Sequence, residues 1–347
     1  MARHNNSPVT IYEVADKAGV AISTVSRVLN DSSDVAESTR ERVLEVIDEL
    51  KYLPNRVARS LAQRDSRVIA IATPTFTTAF HNSLLKGLRT VLADITGECD
   101  LLLFDLGSKN PLDRLRDKLK GGKVDGLILA GIPVSPPLAK ELKAFDAPVI
   151  LIGNHHTEFD CFYWDDFAGA EKATTHLLER GHHRIGLIRA YTDGYVQLQR
   201  IQGYKKALKK HKVRFDSKLI QSGSNIKHAG FSEEHGLEAM NELLKISPPV
   251  TAVLASSDVH AIGAWKAIRE ANKRVPQDIS LIGYDDIKTS YYIELSSVDQ
   301  RIEETGRLAA ERLLTRQQNP SDTTRIDHKI DPKLQIRKSS NYNRSNR

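Results

Sequence analysis

The chain has 347 residues, 40% of them apolar, with a formal net charge of +6. That length exceeds one ordinary domain, so a small module beside one or two larger ones is expected. No apolar run reaches the about 18 residues that a membrane helix needs, the opening MARHNNSP lacks the apolar stretch of a secretory signal, and Cys99 and Cys161 stand far apart, which fits a reduced cytosolic compartment.

The first element is a helix from Ile11, announced by the Thr10/Glu13 capping box and by Ile11, Val14, Ala15 and Ala18 on one face. Gly19 ends it, and Ser23 opens a second helix running to about Leu29. So short a connection forces a steep crossing. A second capping box at Ser38/Glu41 and the spacing of Val43, Ile47 and Leu50 predict a third helix that closes a small core. The outer face of the second helix carries Ile22, Ser23, Thr24, Ser26, Arg27 and Asn30. Small hydroxyls approach phosphates closely, and an arginine contacts guanine bidentately. A protein-binding three-helix module remains the alternative.

Pro54 stops the third helix, Asn55 can cap another, and Val57, Ala58 and Leu61 share one face. A helix that short persists only when packed on something. Leu61 is then either a minor-groove wedge or the cap of an ordinary linker. Charge follows the same logic. Residues 1–64 hold nine Lys/Arg and nine Asp/Glu, whereas the last fifteen residues hold five Lys/Arg and no acid. Near the first module, Lys51, Arg56, Arg59, Arg64 and Arg67 face only Asp65, a cluster able to neutralise phosphates or to sit solvated in a linker.

The runs TIYEVADKAGVAISTVSRVLN, TRERV and YLPNRVARSLA resemble the LacI/GalR family of bacterial transcription regulators. The resemblance implies that Ile22, Ser23 and Arg27 read bases and that Tyr12, Thr24, Ser26 and Asn30 contact phosphates. It places Ala58, Leu61 and Ala62 in the minor groove, Ala62 being a departure from members with lysine there.

From Arg67 the pattern becomes a βαβ rhythm. Apolar runs Val68–Ala72, Leu101–Phe104, Val124–Leu129 and Val149–Ile152 predict one series of strands, and Arg184–Ile188, Leu219–Gln221, Val250–Leu254 and Ile279–Gly283 a second. Helices are expected near Asn82–Leu92, Ala168–Glu179, Gln197–Lys209 and Ala261–Glu270. The fold class is therefore an all-α helix-turn-helix plus an α/β core of two doubly wound parallel-sheet lobes, with the default site in a cleft beyond the strands' carboxyl ends. HLLERGHHRI, Arg200-x-x-Gly203-Tyr204 and VPQDISLIGYDDI extend the resemblance and imply a core like the periplasmic binding proteins. It implies a first lobe of about 67–167 with 298–325 and a second of 168–297 with 326–337.

The expected organisation is a disordered 1–9, a DNA-binding domain at 10–54, a hinge at 55–66, an effector-binding and dimerisation core at 67–338, and a disordered tail at 339–347. The resemblance places Thr75, Phe76, Thr78, Phe80, His81, Arg200, Asp258 and Gln300 at effector-contacting positions. Asp258 could equally stabilise the start of its helix, Arg200 could serve a salt bridge within the lobe, and the aromatics could be core. Asn225 stands where several sugar-binding relatives carry an aromatic. His155-His156 and His182-His183 lack the three or four converging ligands of a metal site. No metal or cofactor is expected.

No leucine heptad follows the core, so a homodimer on a pseudo-palindromic double-stranded DNA operator is expected, in the bacterial cytoplasm at the nucleoid. The function expected is a repressor controlled by a small effector, a sugar or sugar derivative. The competing reading is a solute-binding transport or sensor protein, which the fused helix-turn-helix opposes. An enzyme is disfavoured because no G-x-G-x-x-G, Walker A, G-x-S-x-G or H-E-x-x-H run is present.

Overall fold

The computed structural model describes residues 9–29, 32, 34–52, 67–93, 99–107, 110–120, 124–191, 194–225 and 230–343. The chain divides into two compact units between Ser66 and Arg67.

In the first unit, α1 (Ile11–Ala18), α2 (Ile22–Leu29) and α3 (Glu37–Glu49) enclose a core of Val14, Ala18, Val25, Val28, Val43 and Val46. Glu13 reaches back to the Thr10 amide at 2.7 Å, satisfying a donor that the first turn leaves orphaned. Gly19 ends α1 at φ 63°, a left-handed position that costs glycine little. The expected second capping box is corrected. The Ala36 carbonyl already accepts from Thr39 N at 2.9 Å and Arg40 N at 3.0 Å, so α3 opens ahead of Ser38, which lies inside its first turn.

The second unit contains two six-stranded sheets. Its first half comprises β1 (Arg67–Thr73), α4 (Ala79–Leu92), β2 (Cys99–Asp105), α5 (Pro111–Lys120), β3 (Gly126–Ala130), α6 (Pro136–Lys143), β4 (Val149–Ile152) and β5 (Asp160–Trp164). The chain then crosses to α7 (Asp166–Glu179), β6 (Ile185–Ile188), α8 (Tyr195–Lys210), β7 (Ile220–Gln221), α9 (Glu233–Leu244), β8 (Ala252–Ala255), α10 (Asp258–Glu270), β9 (Ser280–Asp285), α11 (Lys288–Tyr292) and β10 (Ser296–Asp299). It returns through α12 (Ile302–Gln318) and β11 (Asp327–Ile330), and crosses once more to β12 (Lys333–Gln335). The sheet orders are β11-β5-β4-β3-β1-β2 and β12-β10-β9-β8-β6-β7. Among the described residues all pairings are parallel except β10 with β12. β3 and β4 in one sheet and β6 and β8 in the other are buried along their whole length, as expected for strands covered on both faces.

Two expected boundaries shift. β10 completes the second lobe's sheet, and β11 pairs with β5 in the register Asp327↔Cys161, so residues 298–299 belong to lobe 2 and 327–330 to lobe 1. The tail is corrected too, as far as residue 343. Ser339 and Ser340 are buried because the Ser339 hydroxyl donates to Leu281 O at 2.6 Å and accepts from Ser296 N at 2.8 Å, while Ser340 meets His176 Nε2 at 3.1 Å. The cationic tail is also partly neutralised, since Arg337 pairs with Asp286 at 2.6 Å and Lys338 with Glu294 at 3.3 Å.

The chain leaves lobe 1 at the carboxyl end of β5 and re-enters it from the carboxyl end of β10. The carboxyl ends of both sheets therefore face the crossovers, which is where an α/β fold of this kind holds its ligand.

Candidate DNA-reading helix and effector cleft

On α2, Val25 and Val28 are buried while Ile22, Ser23 and Arg27 point outward, Ile22 at 41% exposure. Tyr12 is exposed as well, and Thr24 and Ser26 are half-buried. Asn30, Ala58, Leu61 and Ala62 lie outside the described residues. Thr24 and Arg27 line an open groove with Thr39 and Arg42, and Asp34 borders it. Sequence reasoning missed Thr39 and Arg42 as members of this face. Both had been read as family pattern, and only the crossing of α3 over α2 brings them beside the reading helix.

In lobe 1, Thr78 caps α4 and its hydroxyl meets His81 Nδ1 at 2.6 Å, while Thr73 Oγ1 meets His81 Nε2 at 2.9 Å. Burial lowers the His81 pKa to about 4, so the ring is neutral near pH 7. Thr75 bonds Thr77 at 2.9 Å. Phe76 and Phe80 rest on the rim of the lobe 1 core, and Phe80 meets Trp164 edge-on at 5.5 Å between centroids.

In lobe 2, Arg200 is buried and commits three of its five N–H groups inside the lobe. Nε and Nη2 each lie 2.8 Å from Asp166 Oδ1, and Nη1 donates to Ser256 O. The guanidinium lies 3.7 Å from the Tyr284 ring centroid. A Cβ on Gly169 would fall 2.2 Å from the Tyr284 hydroxyl, so this approach requires glycine. Burial opposes the Arg200 charge, but Asp166 beside it raises its pKa above the ordinary value. The salt bridge held open as an alternative for Arg200 is present, and two N–H groups remain.

Asp258 departs from its expected role. It is fully enclosed and accepts from Ser297 Oγ at 2.6 Å, Ser290 Oγ at 2.7 Å and Ile287 N at 2.8 Å. The hydroxyls it serves are the chain's own, and the helix is capped by Ser257 rather than by Asp258. Burial, opposed by these bonds, raises its pKa to about 7. The carboxylate that stands open is the neighbouring Asp285. It ends β9 in the left-handed region at φ 105°, interacts electrostatically with Arg200, and takes no side-chain hydrogen bond from the described residues. Burial holds its pKa well above the ordinary carboxylate range. The sequence signal was the second half of GYDD, which had been read only as pattern. Strain of this kind collects at functional sites.

Gln300 is buried and its Oε1 has no partner among the described residues, nor do Trp164 Nε1 and Gln197 Nε2. Buried polar atoms are ordinarily paired, so each is a position where a ligand or water belongs. No group of three or more potential metal-ligating side chains is found among the described residues. No described helix is long and apolar enough to cross a membrane.

Residues 10–55 match the model of bacterial regulatory proteins, lacI family, and residues 174–340 match a periplasmic binding protein-like domain. The chain is 33% identical over 318 residues to the HTH-type transcriptional regulator CelR of Thermobifida fusca, covering 88% of this chain and 91% of that one. The structure of a CelR–cellobiose complex superposes with a TM-score of 0.68 at 30% identity, covering 96% of this chain and 100% of that one. A lac repressor dimer bound to operator and the anti-inducer ONPF superposes with a TM-score of 0.73 at 27% identity, over 96% and 99% of the two chains. The chain belongs to the LacI family of bacterial regulatory proteins. It is a DNA-binding transcriptional regulator, neither an enzyme nor a transport protein, and the expected fold class of helix-turn-helix plus two parallel-sheet lobes is borne out.

Proposed function

We propose that the protein is a homodimeric repressor of a pseudo-palindromic operator, released or locked by a neutral sugar held between the lobes. The observation that carries this reading is the division of α2, whose apolar face is consumed by the module's core while Ile22, Ser23 and Arg27 are presented outward. These three read the major groove, and Tyr12, Thr24, Ser26 and Asn30 hold phosphates. The paired hinges bring Ala58, Leu61 and Ala62 to the minor groove. The homodimer is supported by apolar side chains left open on lobe 2, Tyr291 and Tyr292 at 65% and 70% exposure, and by Leu102 and Leu103 on the edge strand β2. The protein works in the cytoplasm, at the nucleoid.

The effector class follows from charge. Arg200 is already paired with Asp166, which leaves it little charge to offer a phosphate or carboxylate, and Asp285, whose pKa burial raises, favours a neutral partner over an anion. Trp164 Nε1, Gln197 Nε2, Gln300 Oε1 and Asp285 suit hydroxyls, which both donate and accept. Phe76, Phe80 and Thr75 form the lobe 1 wall. Cellobiose in the CelR complex is a ligand of this chemistry.

The test is a mobility-shift titration of the full chain on its own upstream DNA at fixed salt, with neutral sugars, sugar phosphates and nucleobases added in turn. Neutral sugars alone should change operator affinity. A response confined to sugar phosphates or nucleobases would overturn the effector class, and no specific shift in any condition would overturn the operator reading.

A further inference from the structure

A dense run of unpaired cations among the described residues lies on neither the reading helix nor the tail. Residues 205–215 contain six Lys/Arg (Lys205, Lys206, Lys209, Lys210, Lys212 and Arg214) and no acid. All six are exposed, and none is ion-paired among the described residues. The acids on neighbouring segments do not neutralise them. Asp216 lies 4.0 Å from Arg184, and Glu179, exposed at the end of α7, pairs with none of the six.

The topology fixes where this patch sits. α8 starts at the carboxyl end of β6, beside the cleft, and runs antiparallel to the strands. Its last two turns and the following loop therefore lie at the far end of lobe 2. The helix buries Arg200, Gly203, Tyr204, Ala207 and Leu208, which leaves Lys205, Lys206, Lys209 and Lys210 on the opposite face. Lysines one turn apart are spaced by about 6 Å along the axis. Phosphates on one DNA strand advance by about 3.4 Å each along the duplex axis, so alternate ones advance by about 7 Å. Phe215, 37% exposed, lies under Lys205 Nζ at 4.5 Å and adds the one exposed ring of the patch.

We propose that this face of lobe 2 is a second, sequence-independent surface for the phosphate backbone of duplex DNA. The chemistry favours a backbone over a protein partner. Lysine is depleted from protein interfaces, and this patch has no apolar centre beyond Phe215 to anchor one. Lysine point charges neutralise phosphates without demanding a base sequence. A chain with a reading helix in one unit and this patch in the other carries one surface for a specific site and one for duplex of any sequence.

The test compares the full chain carrying Arg27→Ala, which weakens the reading helix, with the same chain also carrying Lys206→Gln, Lys209→Gln and Lys210→Gln. Anisotropy is measured on a non-operator duplex across a salt series. Each lost phosphate contact flattens the salt slope by about 0.9, so the triple change should flatten it by about 2 to 3 and weaken binding by tenfold or more. Thermal melting and effector binding should be unchanged, because all three side chains are exposed. An unaltered slope in a folded variant would make the patch a solvated face and overturn the proposal. Equal competition by poly-glutamate of matched charge would overturn the assignment to DNA.

Discussion

The two lobes treat buried charge in opposite ways. At the amino end of β5, Asp160 accepts from Arg312 Nε at 2.9 Å, Arg316 Nε at 2.8 Å and Ile326 N at 2.6 Å, and Arg312 also meets Asp322 at 2.8 Å. Burial would raise the Asp160 pKa, but these donors hold it below the ordinary range. At the carboxyl ends of the lobe 2 strands, Arg200 pairs with Asp166 and interacts electrostatically with Asp285, which takes no side-chain hydrogen bond from the described residues. Saturated charge staples α12 to the far end of lobe 1, whereas the acid without a hydrogen-bond donor stands at the carboxyl end of β9.

The sharpest break in this comparison is Arg200→Met, which leaves Asp166 buried without its partner. The expected loss is about 3–5 kcal/mol of stability in urea unfolding, together with effector response. A loss below about 1 kcal/mol would mean the pair is not structural. Next is Asp160→Asn, expected to cost about 2–3 kcal/mol by stranding buried guanidinium groups while effector affinity in calorimetry is unchanged. An affinity change there would erase the division of labour between the two ends.

The third expectation concerns pH. The Asp258 pKa is raised from 3.8 to about 7, so the folded state binds this proton more tightly than the unfolded state. Its contribution is fully present below 3.8 and is lost as pH rises through about 7. Melting temperatures of wild type should carry that downward component between these values, and Asp258→Asn should remove it. An identical pH profile in both proteins would contradict the assignment. The smallest stability change belongs to Asp285→Asn. Replacing a buried acid that takes no side-chain hydrogen bond from the described residues should leave stability equal or higher, within about 1 kcal/mol, while effector affinity falls about tenfold or more. Lower stability would show that Asp285 is a structural acid like Asp160.

Much of this was legible in the chain itself. Short apolar runs marked the strands of both lobes because strands buried on both faces read as continuous hydrophobic stretches. Thr10, Glu13 and Gly19 marked the first helix through local backbone chemistry, which acts over a few residues. A salt bridge within the lobe was one open reading of Arg200, but its partner Asp166 lies 34 positions away and was not named as such. Ser38 was misread because a capping motif in sequence does not say which residue starts the helix. Ser339 and Ser340 were misread because polar composition looks the same in a free tail and in one whose hydroxyls are bound by Leu281, Ser296 and His176.

The sequence by itself determined the helix-turn-helix, the alternating α/β core and the family, since these rest on local periodicity and short motifs. Only the tertiary structure decided which of two adjacent strand-end acids is open. Asp258 is closed off by Ser290, Ser297 and Ile287, and Asp285 is not. That distinction depends on which donors distant segments bring within reach, and no local pattern in the chain encodes it.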